Sequence, residues 1–232
     1  MALAGAPFHA EPAIRPGQTL TVHDLSGRVR VRVGSHLVID ARKHAERSDP
    51  NTVAVKVETS ADGVAVCVRY PPDTDRGCDQ RSQGANDNDT EVDFDITVPA
   101  GVGVAAANVN GPVDVVAAGP ARGTSVNGEV RIDAPHVDEA TTVNGGVRVW
   151  ERRRSSAPLR ASSVNGRIEI DLPAGSGVTV SANTLNGDIR ADGLAVTRSM
   201  YGLGAKANGV LGDGAQHLSL SSVNGAIVVR RG

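Results

Sequence analysis

The residues of this chain most able to bind something cluster near its middle. Trp150 is the single tryptophan, and Arg152, Arg153 and Arg154 behind it form the one concentrated basic run. An indole face stacks on sugar rings, and guanidinium groups pair with anionic glycan or lipid. The alternation Val147, Val149 sends Trp150 outward if the segment is a strand. A charged corner between two strands is the favoured account of the three arginines. Asp87, Asn88, Asp89, Glu91, Asp93 and Asp95 supply oxygen ligands of the kind Ca²⁺ takes. Their spacing matches no calcium loop, and acids at 91, 93 and 95 are what the wet face of a strand carries. Asp213, between Gly212 and Gly214, reads as a turn. The six histidines, His9, His23, His36, His44, His136 and His217, contain no pair at zinc-ligand spacing. No serine sits in a G-x-S-x-G elbow. The sequence therefore predicts no catalytic, metal or cofactor residues and a protein that is not an enzyme.

Cys67 and Cys78 are the only two cysteines, and the segment between them contains Pro71, Pro72 and Gly77, residues that let a chain fold back. A bridge across this loop fits an oxidising compartment. A redox or metal role would call for a C-x-x-C pair, which is absent. The first ten residues contain small-residue patterns like the end of a signal peptide, without the basic and long apolar regions that precede one. They are expected to lie beside a cleavage site, and the protein to be secreted, periplasmic or on the cell surface. No apolar run is long enough for a membrane span, and a formal charge of -2 gives no electrostatic attraction for nucleic acid.

What must position these residues is a repeat. Asn-Gly occurs at Asn110, Asn127, Asn144, Asn165, Asn186 and Asn224, at intervals of 17, 17, 21, 21 and 38 residues, the last long enough for two units. Val or Leu precedes each Asn. Three residues after it stands Val113, Val130, Val147, Ile168, Ile189 or Ile227, and five after it another small or branched apolar residue, the alternation of a strand with one buried face. A degenerate copy, Leu25-Ser26-Gly27-Arg28-Val29-Arg30-Val31, starts the series. Ile96 to Val102 and Ile170 to Val178 both carry a strand, a Pro-Ala-Gly corner and a new strand. Asn-Gly is also the strongest hairpin signal, but a meander has no need of identical turns with one polarity. The period predicts a coil: an all-β, single-stranded parallel β-solenoid with the asparagines stacked in a hydrogen-bonded column and each glycine at a positive φ.

Aromatic residues make up 2% of the chain, so Val, Ile, Leu and Ala must fill its core. In this reading residues 1–17 are an extended remnant, 18–100 an irregular β cap with the first coils, and 101–232 the regular repeats, all in one continuous domain. About seven regular coils would stack to roughly 35 Å. Asp114, Arg131, Arg148, Glu169 and Arg190 would follow one another down an outer column, with opposite charges facing. The charged end, Val228 to Gly232, would protect the second edge of the stack. Two residues before each Asn, Asn108, Ser125, Thr142, Ser163, Thr184 and Ser222 form a small polar column, which as a flat hydroxyl face would suit glycan or ice and as packing would suit a stacked sheet.

At these residues the chain resembles the bacterial putative-adhesin family of β-solenoid domains, through Leu20 to Val31, the serial Val-Asn-Gly repeats and Val210 to Val229. The resemblance implies an envelope location and a non-catalytic, adhesin-like binding or scaffold role, with an envelope glycan or protein as partner. It supplies no catalytic residues. A monomer is expected. The competing readings are a polysaccharide-acting β-helix enzyme and a structural protein that associates through its coil ends.

Overall fold

The computed structural model describes residues 2–80, 84–85, 87–198 and 204–232. The N-terminal strands are β1 (Leu3–Ala4), β2 (Phe8–Ala10), β3 (Thr19–His23), β4 (Val29–Gly34), β5 (Val38–Ala45), β6 (Ala54–Thr59), β7 (Gly63–Arg69) and β8 (Glu91–Pro99). The middle of the chain forms β9 (Gly103–Asn110), β10 (Val113–Val116), β11 (Ala121–Asn127), β12 (Val130–Ala134), β13 (Val137–Asn144), β14 (Val147–Glu151), β15 (Leu159–Asn165) and β16 (Ile168–Leu172). The last are β17 (Val178–Asn186), β18 (Ile189–Ala191), β19 (Val196–Arg198), β20 (Ala205–Leu211), β21 (Gln216–Asn224) and β22 (Ile227–Arg231). Among the described residues there is no α-helix, and none is long and apolar enough to cross a membrane. Residues 71–90, between β7 and β8, lie partly outside the described residues.

The strands form two mixed sheets of 11 each. From β9 to β16 the chain steps from one sheet to the other at every Asn-Gly, and successive strands of each sheet pair in parallel and in register, Val113 on Val130 on Val147 on Ile168. Inward positions are fully buried, among them Val113, Val130, Ile132, Val149 and Ile170. Both sheets contribute to one apolar core built of Val, Ile, Leu and Ala. The outward alternate of the same strands carries the charge.

Strand pairing corrects the all-parallel expectation at both ends. β5 runs antiparallel to β1, β2 and β8, β6 antiparallel to β7, and β20 antiparallel to β17 and β19. Stacking order also departs from chain order. β3 and β4 lie between β7 and β9 and between β8 and β10, respectively. At the other end β21 and β22, the last strands of the chain, insert between β15 and β17 and between β16 and β18. Val228, not Arg190, therefore faces Glu169, and Arg190 faces Val228. Nor is the charged C-terminal segment an edge: β22 is paired on both sides, and β18 and β19 lie at that end of the sheets.

The asparagines are joined side chain to side chain. Each Nδ2 donates to the Oδ1 of the preceding rung at 2.8 Å, running from Asn110 through Asn127, Asn144, Asn165 and Asn224 to Asn186. The glycines after them are explained by proximity more than by backbone sign. Only Gly111 of the Asn-Gly glycines, and Gly27 of the Ser-Gly copy, have a positive φ, at 144° and 125°. A Cβ on Gly128, Gly145, Gly166 or Gly225 would instead come within 2.0, 2.1, 1.8 or 1.9 Å of the glycine carbonyl oxygen of the neighbouring rung. Stacked corners approach closely, and no side chain fits between them.

Candidate functional site

The outer face of the sheet containing β10, β12, β14 and β16 carries a shallow groove of about 610 Å³ that crosses these four strands. Its strand-end residues stand one above another in register: Val116 beside Asp133, Asp133 beside Trp150, Trp150 beside Asp171. Leu172, at the end of β16, and Pro173 after it extend the lining beyond Asp171. Alternation decides this arrangement. Val147 and Val149 are buried inward, so Trp150 projects outward and is 38% exposed. The indole is flanked on both sides by a carboxylate one strand away, a spacing of about 4.8 Å.

The three arginines take different roles: Arg153 is exposed, its side chain without a hydrogen bond or ion pair among the described residues, while the other two are drawn onto neighbouring strands and corners. Arg152 lies with Nε 2.6 Å from Asp133 Oδ1 and donates Nη2 to the carbonyls of Asp133 and Ala117. Its guanidinium thus fastens one end of the groove to two neighbouring strands. Arg154 donates Nε to Ala174 O at 3.1 Å, bracing the Pro-Ala-Gly corner. Asp133 Oδ1 is buried under Arg152, whereas the residue as a whole is half-buried. Asp171 receives Arg230 Nη1 on Oδ1 at 3.3 Å. Each flanking carboxylate therefore keeps its other oxygen outside these contacts. Lower on the same face, Glu129, Arg131, Arg148, Arg167 and Glu169 form a continuous set of ion pairs.

A second polar cluster, invisible in the sequence spacing, sits beneath the groove. The Glu151 carboxylate is buried and accepts from Val137 N at 2.9 Å and from Gln216 Nε2 at 2.9 Å, with His136 Nδ1 2.9 Å away. His136 Nε2 faces Asp138 Oδ1 at 2.9 Å, and Ser155 Oγ lies 3.1 Å from His136 Nδ1. Serine, histidine and aspartate in contact invite comparison with a hydrolytic triad. The geometry argues against it. Ser155 Oγ and Glu151 Oε1 both lie against the same ring nitrogen, Nδ1, whereas a triad needs the serine and its orienting acid on opposite nitrogens of the imidazole. Ser155 Oγ in turn accepts from Ala157 N. The cluster is a pin that ties the corner before β13 and the end of β14 to the start of β21. Burial made it unreadable: the partners are 15 and 65 residues apart in sequence, and only the inserted position of β21 brings Gln216 to Glu151.

The other candidates resolve individually. Cys67 and Cys78 are bridged, joining β7 to the following loop. Among the described residues no group of three His, Cys, Asp or Glu could hold a metal ion. Asp89 accepts from Ser48 N and Arg47 N, contacts that hold its carboxyl well below the usual carboxylate range. Asp93 accepts from Arg28 N, and Glu91 pairs with His44. Asp213 caps its turn by accepting from Ala215 N. The small polar column is interior, which rules out a flat hydroxyl face for glycan or ice there. Thr142 Oγ1 and Ser163 Oγ donate to Gly128 O and Gly145 O, as Asn108 Nδ2 does to Gly27 O. Asp24 occupies the same column on the coil before Asn108, with Oδ2 buried and unpartnered among the described residues. Burial, then the nearby negative Asp93 and Glu91, push its carboxyl well above the ordinary range, against the backbone donors Leu25 and Ser26.

Fold and groove together define an all-β chain with a disulfide and a shallow, aromatic-centred surface site. No family model and no curated protein matches the sequence. Among solved structures, a putative cell adhesion protein from Clostridium sporogenes is 13% identical with a TM-score of 0.48, covering 98% of this chain and 100% of that one. A putative adhesin from Bacteroides fragilis is 9% identical with a TM-score of 0.33, covering 97% of each chain. A putative lipid binding protein from Parabacteroides distasonis is 12% identical with a TM-score of 0.28, also covering 97% of each.

Proposed function

We propose that this chain is a β-solenoid of the cell envelope that binds glycan, without catalysis, in the groove centred on Trp150. The observation that carries the reading is the exposed indole between Asp133 and Asp171 in that groove. An aromatic face with hydrogen-bond acceptors on either side is what a sugar ring requires, its C–H face on the indole and its hydroxyls donating to carboxylate. The in-register parallel strands beneath support adhesion through a side face of the sheet. The Cys67–Cys78 bridge supports an oxidising, extracytoplasmic location. Antiparallel strands at both ends of one sheet and at one end of the other, with the three-residue β18 closing the remaining end, support a monomer, since they leave short or irregular edges. The test is an array of envelope and cell-wall glycans probed with the oxidised protein and with Trp150→Ala. The expected outcome is specific binding that falls at least tenfold in the variant, the scale of losing one aromatic anchor. Binding unchanged in Trp150→Ala places recognition elsewhere, and release of reducing ends from a bound polysaccharide overturns the non-catalytic reading.

A further inference from the structure

We infer that the Trp150 groove selects uncharged oligosaccharide laid along the stacking axis, with Asp133 and Asp171 as the acceptors for its hydroxyl groups and acidic glycans excluded. The inference rests on the glycan-binding reading and goes further in naming the ligand class and its direction.

Three observations carry it. The first is charge. Four carboxylates line the groove, Asp114, Asp133, Asp171 and the buried Glu151, against two arginines, Arg131 and Arg152. Both arginines are already committed: Arg131 Nη2 donates to Glu129, and Arg152 is held by Asp133 and two backbone carbonyls. The Asp114 side chain carries no hydrogen bond or ion pair among the described residues, although Arg30 and Arg131 are its neighbours across the sheet. A uronate or sulfate seated on the indole would therefore meet carboxylates on both sides and, among the residues lining the groove, no uncommitted guanidinium. Like charges at such separations repel.

The second is hydrogen-bond capacity. An ionised carboxylate only accepts, and the oxygens left outside the arginine contacts on Asp133 and Asp171 are acceptors on both sides of the indole. Neutral sugars present hydroxyl donors around the ring edge while the ring face lies on the indole. Acceptors flanking a stacking platform are the complement of a polyol.

The third is direction. Val116, Asp133, Trp150 and Asp171 come from four successive strands of one sheet, so the row they form runs across the strands along the stack. Three strand spacings are about 14 Å, a length that takes a short oligosaccharide and not one ring. Arg152 closes one flank by bridging β14 to β12 and the residue after β10. Arg230, bound to Asp171, belongs to the inserted strand β22 and continues the row beyond it. Insertion of the C-terminal strands beside β16 is what places this arginine next to the site.

The experiment is calorimetric titration of the intact, oxidised chain with tetramers of neutral glucan, mannan and galactan and with tetramers of galacturonate and guluronate. Wild type, Trp150→Ala and Asp171→Asn are compared. Asp171→Asn keeps the side-chain shape and leaves Trp150 in place. The inference expects at least one neutral tetramer to bind, the acidic tetramers to bind at least tenfold more weakly, and Asp171→Asn to narrow that ratio. Neutral binding that weakens with tetramer shortened to a single sugar supports the axial placement. Acidic tetramers that bind as well as or better than neutral ones, through Trp150, overturn the selectivity while the glycan-binding reading stands. No binding of either class, or binding indifferent to Trp150→Ala, overturns both.

Discussion

Replacing Gly145 by alanine separates the two reasons for a glycine at the stacked corners. A Cβ at Gly145 would stand 2.1 Å from Gly128 O and 2.6 Å from Gly128 C, both backbone atoms of the adjacent rung. Ordinary contact needs more than 3 Å, so the corners must part by roughly 1 Å. That displacement acts on the bonds that cross the same gap: Asn144 Nδ2 to Asn127 Oδ1 at 2.8 Å and Thr142 Oγ1 to Gly128 O at 2.8 Å. It also acts on Val130 N to Gly146 O at 2.9 Å. At about 1 kcal/mol for each hydrogen bond, with residual strain, the expected loss is about 3–5 kcal/mol. Gly146, the next residue, is the internal control. Its Cβ would meet nothing closer than Arg167 O at 3.5 Å, and its φ is not positive. Gly146→Ala is therefore expected to be neutral or to stabilise by about 0.4–1 kcal/mol through the unfolded chain. Equilibrium denaturation in guanidinium chloride, followed by circular dichroism, measures both. If Gly145→Ala unfolds within about 1 kcal/mol of wild type, close approach is not what requires the glycine, and the account of the corner fails.

Asp24→Asn changes how stability depends on pH. A buried carboxyl whose folded pKa is raised keeps its proton while the unfolded chain loses its own, so stability falls as pH rises above about 4, by about 1.4 kcal/mol per unit until the folded group ionises. The variant is expected to match wild type near pH 3 and exceed it at pH 7, and equal gains at both would refute burial of the acid as the cause. Asn144→Ala removes two ladder bonds and Asn186→Ala, at the end of the ladder, only one. The first is expected to cost about twice the second, on the order of 1–2 against 0.5–1 kcal/mol by denaturation. Reduction of Cys67–Cys78, which are 11 residues apart, is expected to destabilise the oxidised protein by about 3 kcal/mol on the loop-entropy estimate. A denaturation midpoint unmoved by reductant would show that the loop is held without the bridge.

Much of this architecture is local and repeated, and for that reason legible in the sequence. The Val-Asn-Gly interval, the inward Val and Ile after it and the outward charges follow from a two-residue alternation that every strand repeats, and the same alternation sends Trp150 outward. Asn in six equivalent places implies a ladder because an amide is both donor and acceptor. The glycines were legible as a requirement, though their reason, a carbonyl about 2 Å from the missing Cβ, appears only once rungs are stacked.

Tertiary structure alone decided which unit lies beside which. Identical motifs make every repeat an acceptable neighbour for every other, so spacing cannot reveal that β3 and β4 slip in before β9 and β10, or that β21 and β22 enter ahead of β17 and β18. That order decides what a period cannot: Val228 rather than Arg190 beside Glu169, Gln216 on Glu151, and Arg230 on Asp171. It also decides the fate of the arginine run, since Arg152 and Arg154 reach carbonyls 19 to 35 residues away and are spent there. Contacts within one repeat are written by neighbours in sequence; contacts between repeats depend on which strands pair across the two sheets.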